Sequence, residues 1–337
     1  MHEKPTNIKD VAAEAKCSIA TVSCVLNDRG RIGKATQKRV REACKKLNYF
    51  PSSAGRNLRS RKTESIGILF YPSCAHIFHN VFYSEIMVGL EEQLTEANQN
   101  LLLAGYDISI ANHQEELPKF IREGSVDGVI LMGGCPDDFK QKVVEVNLPF
   151  LLLDTDISGV SVDSVISDGF RAMIAMVGYI HSKGHRKMMM VRHKYDNYNE
   201  ISRCMGFEAE TRRLGIEADV IRVATNDEAT QTIIDRIGTD NPVTAVCTVN
   251  DDMAADIMNK LMAAGINVPE QVSITGFDDT EFSRETHPPL TTIHIDRKQM
   301  GVEGAKTILR RISDREAPLR KLVISSELIK RNSVKQL

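Results

Sequence analysis

At 337 residues, 42% of them hydrophobic and 26% charged, the chain has the size of two or three soluble domains. It has no apolar run near the roughly 18 residues that a membrane-spanning helix needs. Its polar N-terminus lacks the apolar core of a signal peptide, so we expect a cytoplasmic protein without a membrane partner. The net charge is −2, but residues 1–62 carry 15 Lys or Arg against 5 Asp or Glu. A basic segment joined to an acidic body is typical of nucleic-acid binding.

The cysteines and histidines predict no metal site, no disulfide framework and no other cofactor. The seven cysteines are odd in number and scattered, and they include no Cys-x-x-Cys pair. His181 and His185 are four residues apart, but Gly184 between them is typical of a helix end. A shared metal-binding face on one helix is therefore not expected.

The basic segment predicts three short helices. Ile8 and Val11 begin a run of apolar residues at helical spacing, and Asn7 before it can act as the N-cap. Ser18 can cap a second helix, and a third helix is predicted from about Lys34 to Leu47. The positions of the second helix that face outward are Ile19, Ala20, Ser23 and Cys24. Two short helices around a tight turn predict a DNA-binding helix-turn-helix, with a chance helical hairpin as the alternative.

From Ser65 onward, apolar strands alternate with helical segments. The predicted strands are 66–70, 101–104, 128–131, 150–154, 188–191, 220–223, 245–249 and 272–276. Alternation of this kind predicts parallel sheets that are covered by helices on both faces. A second series begins after Asp168, so we expect an α/β body of two parallel-sheet lobes with a cleft between them.

Several motifs of the basic segment occur in a fixed order, among them Ile8-Lys9-Asp10-Val11-Ala12, Thr21-Val22-Ser23 and Val25-Leu26-Asn27. They resemble the DNA-binding head of the lactose-repressor (LacI-type) family of bacterial transcriptional regulators. In that family the second helix lies in the major groove as a recognition helix. The resemblance implies that Ile19, Ala20 and Cys24 face base edges. It also implies DNA contacts that orient the head, at Asn7, Ser18, Thr21, Ser23, Asn27 and Thr36.

Cys24 departs from the family pattern, which usually has Arg or another hydrogen-bonding residue at this position. An Arg can bind guanine through two hydrogen bonds, whereas a thiol cannot. Because Ile19 and Ala20 are also apolar, we expect base readout to depend on van der Waals contact with thymine methyl groups. A redox switch at Cys24 is the alternative, since a thiol in an electropositive patch can have a lowered pKa.

Residues 51–64 join the head, residues 1–50, to the body, residues 65–337. The resemblance implies a hinge helix that binds the minor groove, with Leu58 as an apolar wedge between base pairs. It also implies DNA contacts at Ser53, Gly55 and Arg56. A solvated basic tether is the alternative. The wedge is favoured because Leu58 is the one large apolar residue among polar neighbours.

The body resembles the same family along its whole length. Examples of the matching motifs are Val126-Asp127-Gly128-Val129-Ile130, Asn250-Asp251-Asp252-Met253-Ala254 and Pro288-Pro289-Leu290-Thr291-Thr292. The resemblance implies a periplasmic-binding-protein-like body. Its N-lobe would comprise residues of about 65–162 and 293–321, and its C-lobe about 163–292 and 322–337.

Polar residues follow three of the predicted strands, where ligands bind in open α/β sheets. These residues are Asp154, Asn250 and Asp278. A sugar requires hydrogen-bond acceptors, a donor such as Arg203, and an aromatic surface such as Phe82 or Tyr83. The resemblance implies that these positions contact an effector. The alternatives are helix N-caps for the residues at the strand ends and a surface ion pair for Arg203.

The resemblance implies a homodimeric transcriptional repressor that binds a near-palindromic double-stranded DNA operator. A small metabolite between the lobes, a sugar or a derivative, would control the affinity for the operator, as inducer or as corepressor. A sugar-binding transport receptor would share the body but would need a signal peptide and no basic head. An enzyme is not expected, because the chain has no Gly-x-Gly-x-x-Gly after its first strand, no phosphate-binding loop and no nucleophile elbow.

Overall fold

The structure, a computed structural model, describes residues 6–27, 30–50, 62–70, 80–106, 117–134, 136–157 and 159–337. Contacts divide the chain into two compact units, with the division between Thr63 and Glu64. The predicted hinge contacts Ser53, Gly55, Arg56 and Leu58 lie outside the described residues. No helix within the described ranges is long and apolar enough to cross a membrane.

The head contains the three predicted helices, α1 (Ile8–Glu14), α2 (Ile19–Leu26) and α3 (Lys34–Lys46). Asn7 and Asp10 form a capping box that starts α1, and Ser18 caps α2 by accepting a hydrogen bond from the backbone of Thr21. Apolar residues from all three helices form one small core, in which Val11, Val22 and Val40 are fully buried. The tight turn between α1 and α2 therefore brings the inward faces of the helices together, as the spacing predicts.

The body alternates strands and helices. Its first part contains β1 (Ser65–Phe70), α4 (Val81–Glu96), β2 (Asn100–Gly105), α5 (Lys119–Arg122), β3 (Gly128–Met132), α6 (Asp137–Val144), β4 (Phe150–Leu153) and β5 (Asp163–Ser167). The next part contains α7 (Gly169–Ser182), β6 (Lys187–His193), α8 (Tyr198–Leu214), β7 (Glu217–Val223), α9 (Asn226–Ile237), β8 (Ala245–Thr248), α10 (Asp251–Ala263) and β9 (Ser273–Thr275). The last part contains α11 (Phe282–Glu285), β10 (Thr292–Ile295), α12 (Arg297–Ser313), β11 (Lys321–Ile324) and β12 (Ser326–Ile329).

Two parallel sheets form the cores of the two lobes. Within the described residues, the first sheet has the strand order β11-β5-β4-β3-β1-β2 and the second has the order β7-β6-β8-β9. Apolar side chains pack on both faces of the first sheet: Ile66 and Ile68 join the cluster formed with α4 and α12, whereas Leu69 joins a cluster on the opposite face. Strands β10 and β12 form a separate antiparallel pair where the chain passes between the lobes.

Strand pairing corrects the lobe boundaries predicted near residues 162 and 321. Strand β5 pairs with β4 and β11, so residues 163–167 and 321–324 belong to the first lobe. The sequence signal was weak because β5 reads Asp163-Ser164-Val165-Ile166-Ser167. Its polar residues are buried by the fold: Asp163 is buried and binds Arg310 and Arg311 of α12.

Helices α4 and α12 cross so closely that glycine is required where they meet. A Cβ atom on Gly301 would lie 2.0 Å from the carbonyl oxygen of Ile86, and one on Gly89 would lie 2.1 Å from the carbonyl oxygen of Lys298. Because both obstacles are backbone atoms, no side-chain rotation relieves the overlap. We expect Gly301→Ala to lower the free energy of unfolding of the body by about 1 to 3 kcal/mol or more, measured by urea denaturation.

Gly178 in α7 provides the matched control. A Cβ atom there would find the carboxylate oxygen of Glu210 at 3.8 Å, which is ordinary van der Waals contact. Gly178→Ala should therefore leave the stability unchanged or raise it by up to about 1 kcal/mol, because alanine is the better helix former. Equal destabilisation by the two substitutions would contradict the close-crossing explanation.

Candidate functional site

A cavity of about 810 Å³ lies between the two lobes of the body, at the carboxyl ends of strands in both sheets. All six of the predicted effector residues line it. From the first lobe these are Phe82, Tyr83 and Asp154, and from the second lobe they are Arg203, Asn250 and Asp278. The structure therefore brings together side chains that are up to 196 positions apart in the sequence.

Arg203 is buried in the wall of this cavity, with 5% of its surface exposed. Its guanidinium donates to the backbone carbonyl of Val249 and, at 3.1 Å, to a carboxylate oxygen of Asp278. It also lies 3.7 Å from the ring centre of the buried Phe277. Helix α8 can place Arg203 here because Gly206 lets it approach α7: a Cβ atom on Gly206 would lie 2.3 Å from the backbone of Phe170. The predicted alternative for Arg203, a surface ion pair, is wrong, since its ion pair is buried.

Asp154 lies at the end of β4 and is 98% buried, with one carboxylate oxygen accepting from the hydroxyl of Tyr83 at 3.2 Å. The other carboxylate oxygen is buried and has no hydrogen-bond partner within the part of the chain that the structure describes. Burial raises the pKa of Asp154 to about 7, although the charge of Arg203 lowers it. Gly133 makes room for this pair, since a Cβ atom there would lie 2.8 Å from the Tyr83 hydroxyl.

Two further buried carboxyl groups lie on the side of the second lobe. Burial raises the pKa of Asp278 to about 6 and that of Asp251 to about 8. Asp251 accepts hydrogen bonds from the backbone and hydroxyl of Thr280 and from the hydroxyl of Thr292. Asp154 and Asp278 both have positive φ angles, 56° and 105°, which are uncommon for residues other than glycine. Two of the three polar residues at strand ends therefore adopt strained backbone conformations, as often occurs in binding sites.

Arg297 connects the two lobes through a contact with Asp278, a residue of the cavity lining. From α12, its guanidinium donates to both carboxylate oxygens of Glu85 on α4, at 2.8 and 3.1 Å. The same guanidinium donates to the backbone carbonyls of Asp278 and Asp279 in the second lobe. Glu85 is two residues beyond Tyr83 on α4, so this contact joins the helix that carries Phe82 and Tyr83 to the turn that carries Asp278.

The exposed face of α2 carries the predicted base-contacting residues of the head. Ile19 is 45% exposed, Ala20 is exposed and Cys24 is half-buried. Asn7, Ser18, Thr21, Ser23 and Asn27 take part in hydrogen bonds at the ends of α1 and α2, and Thr36 lies in the first turn of α3. The basic residues of α3 form an exposed face, at Lys34, Lys38, Arg39, Arg41, Lys45 and Lys46.

Comparison with known proteins identifies both units. Residues 7–52 match the family described as bacterial regulatory proteins, lacI family, and residues 177–334 match the periplasmic binding protein-like domain. The transcriptional regulator RegA of Clostridium saccharobutylicum is 32% identical over 97% of this chain and 99% of its own length. The chain belongs to the LacI family of bacterial regulatory proteins. Another relative, the transcriptional repressor PurR of Vibrio parahaemolyticus, is 31% identical over 98% of this chain and 99% of its own length.

Solved structures of regulators show the same fold as this LacI-family chain. The lac repressor dimer bound to operator has the same fold, with a TM-score of 0.85 and 22% identity over 98% of this chain and 100% of that chain. The regulator CelR in complex with cellobiose has a TM-score of 0.72 and 25% identity, covering 97% and 99% of the two chains. Since the relatives are DNA-binding transcriptional regulators, this chain is one as well and is not an enzyme.

In this LacI-family regulator, one of the three polar residues at strand ends is a helix N-cap, the role that was the alternative to an effector contact. Asn250 caps α10 by accepting from the backbone of Met253, whereas neither Asp154 nor Asp278 is the N-cap of a described helix. The cavity also has a lining that the sequence did not predict, chiefly residues from the last position of β6 to the residues before Arg203. These are His193, Tyr195, Asp196, Asn197, Asn199 and Glu200. Their position after a strand end and before Arg203 was the signal that could have revealed them.

The raised pKa values of the cleft predict how the stability of this LacI-family body depends on pH. A carboxyl group whose folded pKa exceeds its unfolded value of 3.8 binds more protons in the folded state, so its contribution to stability falls as pH rises. For Asp154 this loss runs from about pH 4 to about pH 7. Asp154→Asn removes the titration, so its stability relative to the parent should rise over this window by about 2 to 4 kcal/mol, measured by urea denaturation at a series of pH values.

Comparison with the parent at each pH cancels the contributions to stability of the titratable groups that both proteins share. One such group is the buried His185, whose pKa is lowered by burial and whose effect on stability has the opposite sign. Asp235→Asn on α9 is the matched control, because Asp235 is exposed and lies outside the cavity lining. A stability difference between Asp154→Asn and the parent that stayed constant from pH 5 to pH 8 would contradict the raised pKa of Asp154.

Proposed function

We propose that this LacI-family regulator is a homodimeric repressor that binds a near-palindromic operator and is controlled by a small sugar or sugar derivative in the cleft. The observation that carries the proposal is the convergence of six predicted effector residues, three from each lobe, on one cavity. A ligand that contacts both lobes can change the angle between them. The coupling that such regulation requires is modest, about 1 to 3 kcal/mol.

The exposed face of the head supports the part of the proposal that concerns DNA. The outward-facing residues of α2 are small or apolar, and α3 adds an exposed basic face that suits phosphate contact. Ile19 and Ala20 have no hydrogen-bonding side-chain groups. We propose that α2 is the recognition helix, that it favours thymine-rich half-sites, and that the predicted hinge residues, Leu58 among them, add contacts in the minor groove.

The cavity and the comparisons support a sugar as the effector. CelR, which has the same fold, was solved in complex with cellobiose. In this chain the cavity combines carboxylates, amides, a guanidinium and the aromatic residues Phe82 and Tyr83. Adjacent hydroxyl groups both donate and accept hydrogen bonds, so a sugar can satisfy the carboxylates and the guanidinium together.

Selection of bound sequences from a random DNA pool, at a stated salt concentration, tests the proposal first. We expect a near-palindrome with half-sites about one helical turn apart, because a two-fold symmetric dimer presents two recognition helices. The matched variant Cys24→Arg should shift one base of each half-site towards guanine. The affinity for the selected operator is then measured with and without sugars that raise the melting temperature of the protein. Sequences without two-fold symmetry, or an operator affinity that no bound sugar changes, would overturn the proposal.

A further inference from the structure

The wall of the cleft is rich in carboxyl groups. Among the described residues, six Asp or Glu residues line it, against a single guanidinium, that of Arg203. The six are Asp154, Asp196, Glu200, Asp251, Asp252 and Asp278. Arg203 is already engaged in its ion pair with Asp278. The nearby Arg192 is likewise engaged, at 2.7 Å from Asp196 and 3.6 Å from Glu200. A phosphate or a carboxylate on the ligand would therefore lie close to other carboxylates. The two guanidinium groups nearby already have acidic partners.

Three helix ends at the cleft, all from the second lobe, are also unsuited to an anion. Helix N-termini bind phosphates through free backbone N–H groups and the positive end of the helix dipole. Here α8, α9 and α10 each begin with a side-chain cap, at Asn197, Thr225 and Asn250. Each also carries an acidic residue in its first turn, for example Glu200 in α8 and Asp251 in α10. The caps occupy backbone donors, and the acidic residues already neutralise the helix dipole.

Two buried polar atoms in the cleft indicate which groups the ligand must carry. Among the described residues, no group donates a hydrogen bond to one carboxylate oxygen of Asp154, and none accepts one from the Nε of Arg203. Such atoms are costly unless a ligand or water satisfies them. Only an O–H or N–H group can satisfy the oxygen of Asp154, and a hydroxyl group can also accept from Arg203.

From these observations we infer that the effector carries no phosphate or carboxylate group, and that it presents a hydroxyl or a protonated amine to Asp154. The inference rests on the proposed function only in taking the cleft as the effector site. It narrows the ligand to uncharged or cationic polar molecules. Among sugars it selects free sugars and amino sugars and excludes sugar phosphates and sugar acids.

The experiment uses the full chain and matched sets of ligands that differ only in charge. For each of several hexoses, the set comprises the free sugar, its 2-amino-2-deoxy form, its 6-phosphate and its uronic acid. Nucleobases and nucleosides, each paired with its monophosphate, form a second group. Binding is detected by thermal shift at pH 8, where Asp154, with its pKa of about 7, is mostly ionised, and dissociation constants are then measured by calorimetry.

We expect a free or amino sugar to bind and its phosphate and uronic acid to bind at least about 100-fold more weakly, because like charges in a cleft are strongly rejected. Tighter binding of a sugar phosphate or sugar acid would overturn the inference and leave the proposed sugar effector intact. Binding of a nucleobase or nucleoside but not its monophosphate would support charge selection and overturn the sugar. If no member of either group bound at millimolar concentration, the cleft would not be the effector site, and both proposals would fail.

Substitution of Asp154 gives a second readout with the bound ligand. Asn keeps an acceptor oxygen but not the charge, so Asp154→Asn should weaken an uncharged ligand by about tenfold and an amino sugar by more. The substitution should also reduce the ratio between the dissociation constants of the sugar phosphate and the free sugar. The control Asp235→Asn on α9, which removes the same charge outside the cavity, should change neither dissociation constant. Equal weakening of neutral and amino ligands by Asp154→Asn would show that the charge of Asp154 selects nothing.

Discussion

Arg203→Ala is expected to abolish the response of the operator complex to the effector. In the parent, Arg203 holds Asp278 at 3.1 Å and is the one guanidinium among the described residues that line the cavity. Loss of charge-assisted hydrogen bonds to the ligand should weaken effector binding by about 100-fold or more. The affinity for operator DNA should stay at its effector-free value, measured by fluorescence anisotropy with and without effector. The effector-free affinity for operator DNA also shows how the effector acts. Weak effector-free binding indicates that the effector is a corepressor, and tight effector-free binding indicates that it is an inducer.

The same substitution should also destabilise the body, because it leaves the carboxylate of Asp278 buried without its cation. Removal of one partner of a buried ion pair costs about 3 to 5 kcal/mol. Arg203 lowers the pKa of Asp278, which burial alone would raise further above its present value of about 6. The destabilisation should therefore be smaller at pH 6 than at pH 8, since protonation removes the uncompensated charge.

The double variant Arg203→Ala/Asp278→Asn separates the two effects. It has no unpaired carboxylate at this position, so it should regain most of the stability that the single variant loses. It should not regain the effector response, because the guanidinium is still missing. A double variant that was stable and still responded to the effector would show that Arg203 serves only to neutralise Asp278.

The parts of the fold that the sequence predicted are those with strong local signals. The helices of the head follow from apolar spacing around Val11 and Val22 and from the caps Asn7 and Ser18, all of which act within a few residues. The central strands, such as β3 and β4, are fully buried apolar runs bounded by polar residues. For these elements the local pattern and the tertiary environment require the same residues.

The elements that the sequence failed to predict depend on distant contacts. Strand β5 contains three polar residues in five, and its burial is explained by Arg310 and Arg311, which lie nearly 150 positions away. Helix α12 has charged residues along much of its length and is buried because Gly301 and Gly89 allow it to cross α4 closely. Neither property is visible within a window of a few residues.

The candidate site was predicted where a residue follows a buried strand. Asp154, Asn250 and Asp278 were identifiable because ligands bind at the carboxyl ends of parallel strands. Arg297 was not, since the strand that ends two residues before it, β10, was not among the predicted strands, and its partners Glu85 and Asp278 come from opposite lobes. A residue that joins two lobes becomes recognisable only when the chain has folded around it.

Arg297→Met is expected to loosen the contact between the lobes. The guanidinium is buried, with 6% of the residue exposed, and binds Glu85 of the first lobe and the carbonyls of Asp278 and Asp279 of the second. Methionine fills a similar volume without any donor, so the two carbonyls lose their partner. We expect the free energy of unfolding to fall by about 2 to 4 kcal/mol. Amide hydrogen exchange should accelerate together in residues 81–86 and 276–280, because both segments depend on one guanidinium.

The next residue supplies the control. Lys298 donates to Glu92 at 2.8 Å, so this ion pair joins the same two helices, α12 and α4, within the first lobe only. The side chains of Lys298 and Glu92 are both about half exposed, and Lys298→Met should therefore cost no more than about 1 kcal/mol.

A double-mutant cycle with Glu85→Gln measures how much of the Arg297 effect comes from the ion pair itself. If Arg297→Met behaved like Lys298→Met in both stability and exchange, Arg297 would only link α12 to α4. If hydrogen exchange rose at residues 276–280 in the Arg297 variant alone, Arg297 would hold the turn of Asp278 against the helix that carries Tyr83. Effector contacts on the two sides of the cleft would then be coupled through Arg297.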